Sequence, residues 1–441
     1  MNKFYNKKSG FSLIELLVAM LITSILLLGV ISLFSNSSAL NRAQAGLAIL
    51  QENGRYAISR IKSDVENAGR KHCASIALPR ESITDWKQGA DMTEWQVATN
   101  VLFTNGLPNV GDVKIDLATD ADQLADTFSF AGQTSYPLDP SYFIRGHECT
   151  GSTCLPDFVD AGSDGSITLP TPGSGNGQRG INSDVLTVRY LEGGVEVVAN
   201  DGLGGFTLED PVSTTYTGNT LIADCDNSYV APATWSGVDV NLQQPSGATI
   251  PQYDGLADTK AYRLTQDVKT VTYFIQVDND PNSSTRKISS LYRSENGLVQ
   301  QLVEGVERLD FFYLVQLQTG HVVRMTADQV NQVTGGGDLD NDGALDSIQG
   351  CVTPPKVDYL PSGAGLANDR GCLWRSVYAV EVHLLLNTVN NSSSEETEPF
   401  IYSPDGTTPQ TPGAVLPNGL DRGKMYRREF TAIIPIRSYT L

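Results

Sequence analysis

Residues 11–34 read FSLIELLVAMLITSILLLGVISLF, an apolar run with one charge, Glu15. As a helix this run would be about 36 Å long, enough to cross a bilayer. It is longer than the roughly 7–15 residues of a secretory h-region. Lys3, Lys7 and Lys8 precede it, and no basic cluster follows directly. The positive-inside rule then keeps residues 1–10 cytoplasmic and sends the rest outward. The alternative is a signal peptide cut near SNSSA, residues 35–39. A carboxylate inside a membrane helix costs roughly 2.5–3.5 kcal/mol on insertion scales and usually marks a function or a partner. The plainer reading of Glu15 is a polar side chain snorkelling near the helix end.

Beyond the run, apolar residues recur at Leu40, Ala43, Leu47, Leu50, Gly54, Ile58, Ile61, Val65 and Ala68. Steps of three and four are the period of an amphipathic helix. Charges such as Arg55, Arg60, Lys62, Asp64 and Glu66 fall between them, and no proline interrupts Phe11 to Cys73. The pattern predicts one helix over 12–69, about 87 Å long. Two helices broken near 35–38 are the alternative.

The rest of the chain reads as β-rich. Residues 74–183 show few periodic runs and are rich in acidic, Gly and Ser residues. Strand signals follow at 184–191, 195–200, 220–225, 268–277, 288–294, 306–316, 376–387 and 425–438. An antiparallel sheet laid against the helix, an α+β arrangement, accommodates both. The 441 residues carry 50 acidic against 31 basic side chains, a formal charge of −19. That balance argues against a nucleic-acid surface, which needs clustered Lys and Arg. The short run Arg422, Lys424, Arg427 and Arg428 reads as one face of an edge strand.

Six cysteines allow fifteen pairings, and none forms a CxxC pair. An exported chain would oxidise them. Proximity suggests Cys149–Cys154 and Cys351–Cys372, which leaves Cys73 with Cys225; reduced buried thiols are the alternative. A loop of about 20 residues closed this way contributes roughly 3 kcal/mol in the chain-entropy model. The sharpest chemistry outside the apolar run is GGGDLDNDGALDSIQGC. Asp338, Asp340 and Asp342 occupy alternate positions of a DxDxDG loop, the Ala344 carbonyl would be the position 7 ligand, and Asp346 falls at position 9. Alternating carboxylates on a tight turn supply the oxygens calcium needs. Position 12 is Gln349, where an EF-hand has glutamate, so the loop is expected to be EF-like, and a solvated acidic turn is its rival. His72, His147, His321 and His383 lack metal spacing, and GxSxG, HExxH and P-loop motifs are missing, so no enzyme is expected.

Gly10, Phe11 and Glu15, with lysines ahead and apolar residues behind, resemble the class III signal of type IV pilins and type II secretion pseudopilins. The resemblance implies cleavage by prepilin peptidase after Gly10, N-methylation of Phe11, and pairing of Glu15 with the terminal amine of a neighbouring subunit. Cleavage would remove three lysines and take the charge from −19 to −22. The segments DVENAGRKHC, NSDVLTVRYL, LIADC, SLYR, LVEGVERLDFFY, WRSVYAVEVHLLL and YRREFTAIIPIRS, in that order, resemble the PilW family of minor type IV pilins. Family cysteines after the stem and at the end of the DC strand match Cys73 and Cys225. Where the family ends its last strand with an arginine-asparagine pair, this chain has Arg437-Ser438.

The resemblance implies a type IV pilin-like fold: leader 1–10, membrane or filament-core helix 11–34, amphipathic stem 35–72 and β-rich head 73–441 with insertions at about 74–180 and 335–371. It implies a minor pilin acting in pilus assembly, at the filament tip after leaving the inner membrane, its head periplasmic beforehand. Partners would be other minor pilins, the major pilin, prepilin peptidase, the inner-membrane assembly machinery and a tip adhesin, and not nucleic acid. A minor pseudopilin and a calcium-stabilised tip adhesin are the alternatives.

Overall fold

In the computed structural model the apolar run and the amphipathic segment form one unbroken helix, α1 (Leu13–Glu66), of 54 residues. At 1.5 Å per residue it is about 81 Å long. The helix passes through 35–38 without a break. The structure describes residues 12–70, 72, 94–96, 101–104, 143–155, 169–224, 228–243, 258–283, 286–316, 321–331, 373–374, 377–393, 398–412, 420 and 423–437.

Two sheets enclose a core with the second half of α1. The first has seven strands: β3 (Ile144–Thr150), β4 (Thr153–Leu155), β5 (Gln178–Arg179), β6 (Val185–Leu191), β11 (Val268–Asn279), β12 (Lys287–Glu295) and β13 (Leu298–Glu304). Their order is β13-β12-β11-β6-β3-β4, with β5 also on β11. The second has four: β14 (Val306–Gln316), β15 (Val322–Met325), β16 (Val377–Asn387) and β17 (Arg427–Pro435), ordered β15-β14-β16-β17. A short helix, α2 (Ala327–Asn331), follows β15. Leu50, Ala57, Ile61 and Val65 of α1 meet Leu186, Val188, Tyr273 and Leu291 of the first sheet and Leu309, Phe311, Val382 and Ile434 of the second in one apolar cluster. Every residue of β6 is buried, as befits a strand covered on both faces.

The third sheet departs from the expectation of one sheet on the helix. Its six strands are β1 (Glu94–Gln96), β2 (Val101–Thr104), β7 (Val195–Asn200), β8 (Gly205–Ala223), β9 (Ser228–Leu242) and β10 (Lys260–Arg263). They run in the order β1-β2-β9-β8-β10-β7. All pairings are antiparallel except β2 with β9. The predicted strand at 220–225 is thus the end of a 19-residue strand. This sheet has its own core of Val197, Phe206, Leu208, Ile222, Ala231, Ala233, Trp235, Val240 and Ala261. Trp235 Nε1 donates to Thr220 Oγ1 at 2.8 Å, which satisfies the indole inside that core. The chain enters this lobe through Gly193 and Gly194, both at positive φ. A Cβ on Gly194 would lie 2.5 Å from the Tyr262 ring.

Cys149 and Cys154 face each other across the β3–β4 hairpin and are disulfide-bonded. Cys73, Cys225, Cys351 and Cys372 lie outside the described residues, as do Gly10, Phe11 and the acidic loop with Asp338, Asp340, Asp342, Ala344 and Asp346.

Candidate functional site: an exposed helix and its joint with the head

The first half of α1 is a bare apolar surface. Leu13 is 78% exposed, Phe34 is 78% exposed, and the large side chains between them are exposed as well. A helix apolar all round belongs in lipid or among other helices. By length and composition this is a helix able to cross a membrane. Ser12 is its N-cap, and the Ser12 N–H donates to Glu15 Oε2 at 3.0 Å. Glu15 thereby satisfies one of the donors that a helix start leaves open. The carboxylate lies at the tip of the helix, where its charge also opposes the positive end of the helix dipole.

The second half is docked. Small residues bring the head close: a Cβ on Gly54 would fall 2.4 Å from the Phe430 ring of β17, and one on Gly46 would fall 2.5 Å from Ser392 Oγ. The buried stripe is Gly46, Leu50, Gly54, Ala57, Ile61, Asp64, Val65 and Ala68. Leu40 is exposed and Ala57, not Ile58, is fully covered, so the predicted stripe is turned slightly.

Asp64, which in the sequence falls between the apolar positions of the stripe, is buried within it. It is only 2% exposed. Three side chains from three strands converge on it. Tyr190 of β6 donates to Oδ1 at 2.9 Å, and Tyr273 of β11 donates to Oδ2. Arg293 of β12 donates through Nε to Oδ2 at 2.8 Å and through Nη2 to Oδ1 at 3.3 Å. Both carboxylate oxygens are used, as a buried charge requires. Burial first, and then the facing Asp64 charge, raise both tyrosine hydroxyls well above their usual range. Burial disfavours the Arg293 charge, but its bonds to Asp64 and Glu295 outweigh that and hold it protonated. The tyrosines therefore stay neutral donors, and the guanidinium stays a cation.

The network continues outward. Arg293 Nη1 reaches Glu295 Oε2 at 2.5 Å; Glu295 also pairs with Lys269, which lies 3.6 Å from Glu192. At the foot of the stem, Arg437 Nη2 donates to Glu66 Oε2 at 2.7 Å. Just past the helix, His72 Nδ1 lies 3.0 Å from the Tyr262 hydroxyl, and its Nε2 contacts the Asp258 carbonyl. The stem is thus fixed to the seven-stranded and four-stranded sheets, and His72, just past it, touches the lobe.

His383 is also engaged. It sits between Glu381 and Glu429, each at 2.7 Å, with Ser403 Oγ 3.2 Å from Nδ1. Burial works against the Glu381 carboxylate, yet bonds from Arg324 and His383 hold its pKa below the ordinary value. The Ser403 N–H is taken by Glu429 at 3.0 Å, so it is not a free oxyanion donor. Among the described residues no group of three or more His, Cys, Asp or Glu is arranged to hold a metal ion.

The geometry defines a membrane-compatible helix rigidly joined to a β head, and the family comparisons agree with that class. Residues 5–31 match the model of the prokaryotic N-terminal methylation motif. Residues 272–438, which run from within β11 to just past β17, match the model of Type IV pilus-assembly protein W. The chain therefore carries an N-methylation-type amino terminus and a PilW-type carboxy-terminal region, and the resemblance to that family is shown over these segments. No curated protein and no solved structure matches the chain. The lobe built on β7 to β10 lies outside both matched segments.

Proposed function

We propose that this protein is a minor pilin with a type IV pilin-like fold that primes or extends type IV pilus assembly and resides at or near the filament tip. The observation that carries this reading is the division of α1: an exposed apolar half led by Glu15, and a half locked to the head through Asp64. The first is suited to exchanging lipid for other pilin helices, and the second makes the head follow the helix. In this reading prepilin peptidase cuts after Gly10, Phe11 is N-methylated, and the chain moves from the inner membrane, head in the periplasm, into the pilus. Glu15 exchanges its bond to the Ser12 N–H for a neighbour's terminal amine. The protein acts by packing with other minor pilins, the major pilin and the inner-membrane machinery, not by catalysis.

The test is intact-mass and amino-terminal analysis of protein from membranes and from sheared filaments, with and without the peptidase. A start at N-methyl-Phe11 in sheared filaments, dependent on the peptidase, is expected. An uncut terminus or a cut near Ala39 would overturn the reading.

Calcium belongs to the same proposal. By their sequence spacing Asp338, Asp340, Asp342, the Ala344 carbonyl and Asp346 would supply the oxygens of a calcium loop, with Gly343 allowing the turn. Weak binding suffices outside the cell. EGTA is expected to lower the Tm of the native protein, and Asp340→Asn with Asp342→Asn is expected to abolish that response. A Tm indifferent to EGTA removes calcium from the proposal.

A further inference from the structure

His383 makes more contacts than a neutral imidazole can satisfy. Its side chain is only 5% exposed. Nδ1 lies 2.7 Å from Glu429 Oε1 of β17, and Nε2 lies 2.7 Å from Glu381 Oε1 of its own strand, β16. Both are hydrogen-bond distances, and a carboxylate oxygen accepts. A neutral ring has one N–H, so its other nitrogen would set a lone pair against a carboxylate. Glu381 does not resolve this by taking a proton. Burial opposes its charge, but Arg324 of β15, whose Nε donates to Oε2 at 2.6 Å, and His383 hold it ionised. Glu429 acts as an acceptor as well, taking the Ser403 N–H at 3.0 Å and the Ser403 hydroxyl. Arg324 works against a charged ring, with Nη2 at 3.5 Å from Nε2, a longer contact than either carboxylate makes.

The ring also joins the sheet to a strap. Leu384 and Leu386 belong to the stem core, so by strand alternation His383 and Leu385 face the other way. Residues 400–410 cross that outer face. Phe400 and Gln410 exchange backbone hydrogen bonds at 3.0 and 2.7 Å, and Phe400 and Tyr402 pack on Leu385. The Tyr402 hydroxyl donates to Asp310 of β14 and lies 3.3 Å from the His383 carbonyl. Arg308 of β14 lies over the Tyr402 ring and donates through Nη1 to Asp405 Oδ2 at 3.2 Å. The rings of Phe312 and Tyr402 stand edge-on to His383. Ser403 meets the sheet through the Glu429 carboxylate, and His383 Nδ1 fixes where that carboxylate points.

We propose that His383 is a pH-sensitive clasp: as an imidazolium it bridges Glu381 and Glu429 and holds the strap at Ser403 on the sheet, and loss of one ring proton frees residues 403–406. The protonated ring is the form the two carboxylates favour. Its contribution is therefore full at low pH and is lost as pH rises through the value at which the folded ring gives up a proton. Glu381 sets the opposite limit. A carboxylate of lowered pKa contributes above its unfolded value of about 4.3 and loses that contribution as pH falls through the folded one. The strap is closed between the two limits. Burial, and then Asp310, raise the Tyr402 hydroxyl well above its usual range, so Tyr402 stays neutral and seated when the Ser403 end is released. The clasp does not depend on the assembly reading.

The test uses the full-length protein in detergent over a series of pH values. The amides of Ser403, Asp405 and Gly406 bond to Glu429, to the Tyr402 carbonyl and to the Ser403 carbonyl. Their hydrogen exchange, corrected for the intrinsic rise with pH, is expected to quicken at least tenfold across one step. Deuteration of the His383 ring at its C2 position, read by mass spectrometry, is expected to show the ring losing its charge over that same step. His383→Gln is expected to abolish the step and Glu381→Gln to move it to lower pH, with the stem joint exchanging as in the parent. Corrected exchange at 403–406 that ignores pH, a ring that changes charge with no change at 403–406, a step that persists in His383→Gln, or one left unmoved in Glu381→Gln overturns the proposal. The two curves of the unaltered protein decide the matter alone if a variant fails to fold.

Discussion

The two halves of α1 share one backbone and differ in what holds them. The first half is large aliphatic side chains with nothing on them, from Leu13 to Phe34. The second alternates small residues with a few aliphatics and ends on a buried aspartate, so that two glycines and two alanines, Gly46, Gly54, Ala57 and Ala68, let the sheets approach. A greasy surface all round accepts any apolar neighbour in any rotation. A narrow stripe of small residues closed by one buried charge admits one rotation and one height. The Asp64 cluster sets register because a shift of the helix by even one residue would take from Arg293, Tyr190 and Tyr273 the buried acceptor they share.

The largest effect should follow from breaking that register. Asp64→Ala leaves the Arg293 charge and the Tyr190 and Tyr273 hydroxyls without their shared acceptor. Removing one partner of a buried pair costs about 3–5 kcal/mol, and denaturant unfolding of the head should show it. A loss below about 1 kcal/mol would mean that the apolar stripe alone fixes the stem. Gly54→Val comes next. Its side chain would enter the Phe430 ring, and overpacking of this kind typically costs about 1–3 kcal/mol. Alanine in an exposed helix would instead gain roughly 0.5–1 kcal/mol over glycine, so the sign of Gly54→Ala tests whether the close approach is real.

Much of the helix was legible because its period is local and long. The expected helix over 12–69 follows from hydropathy, the three-and-four period and the lack of proline, and the observed one runs Leu13–Glu66. The burial of Asp64 was not read from the sequence, which counts only apolar residues in the stripe, although its position, three after Ile61 and four before Ala68, lies on that stripe. Its partners stand 126, 209 and 229 residues away, a distance no local pattern bridges. The lobe was legible only at its ends. In β8 the register shifts between Thr207 and Val212 and again before Tyr216; bulges of this kind break the alternation by which a strand is recognised. The Cys149–Cys154 pair was readable since the two cysteines stand five positions apart. Gly10, Phe11 and the acidic loop fall outside the described residues, so for them the sequence is the source.

The outer shell of the joint should respond to acid. Hydrogen bonding from Lys269, opposed by burial and then helped by Arg293, holds the Glu295 pKa below its ordinary value. An acid of lowered pKa stabilises the fold fully above its unfolded value of about 4.3 and loses that contribution as pH falls through the folded one. Lys269 is raised, chiefly by its bond to Glu295, so its contribution is full below about 10.4 and is lost as pH rises through the folded pKa. Between those limits the two predict a plateau. Glu295→Gln is expected to flatten the acid limb of a Tm-against-pH curve below pH 4.3; an unchanged limb would place the acid sensitivity elsewhere. Glu66→Gln, which weakens the pair with Arg437, a residue 72% exposed at its side chain, should cost no more than about 1 kcal/mol.

Glu15→Ala should change head stability least and assembly most, and this separates the two halves of the helix most directly. Among the described residues Glu15 bonds within the first turn, to the Ser12 N–H, and the nearest buried residue of α1 is Gly46. Its loss frees one terminal donor, an effect of roughly 0.5–2 kcal/mol on local helix order that does not reach the joint. Denaturant midpoints of the variant and the parent should therefore coincide. If Glu15 is exchanged from its own helix to a neighbour's amine on assembly, the same variant should be processed and folded yet missing from sheared filaments. Normal incorporation would mean that the apolar surface suffices and the carboxylate serves only its own helix. A lowered midpoint would mean that the two halves are energetically coupled, and the division of α1 would have to be abandoned.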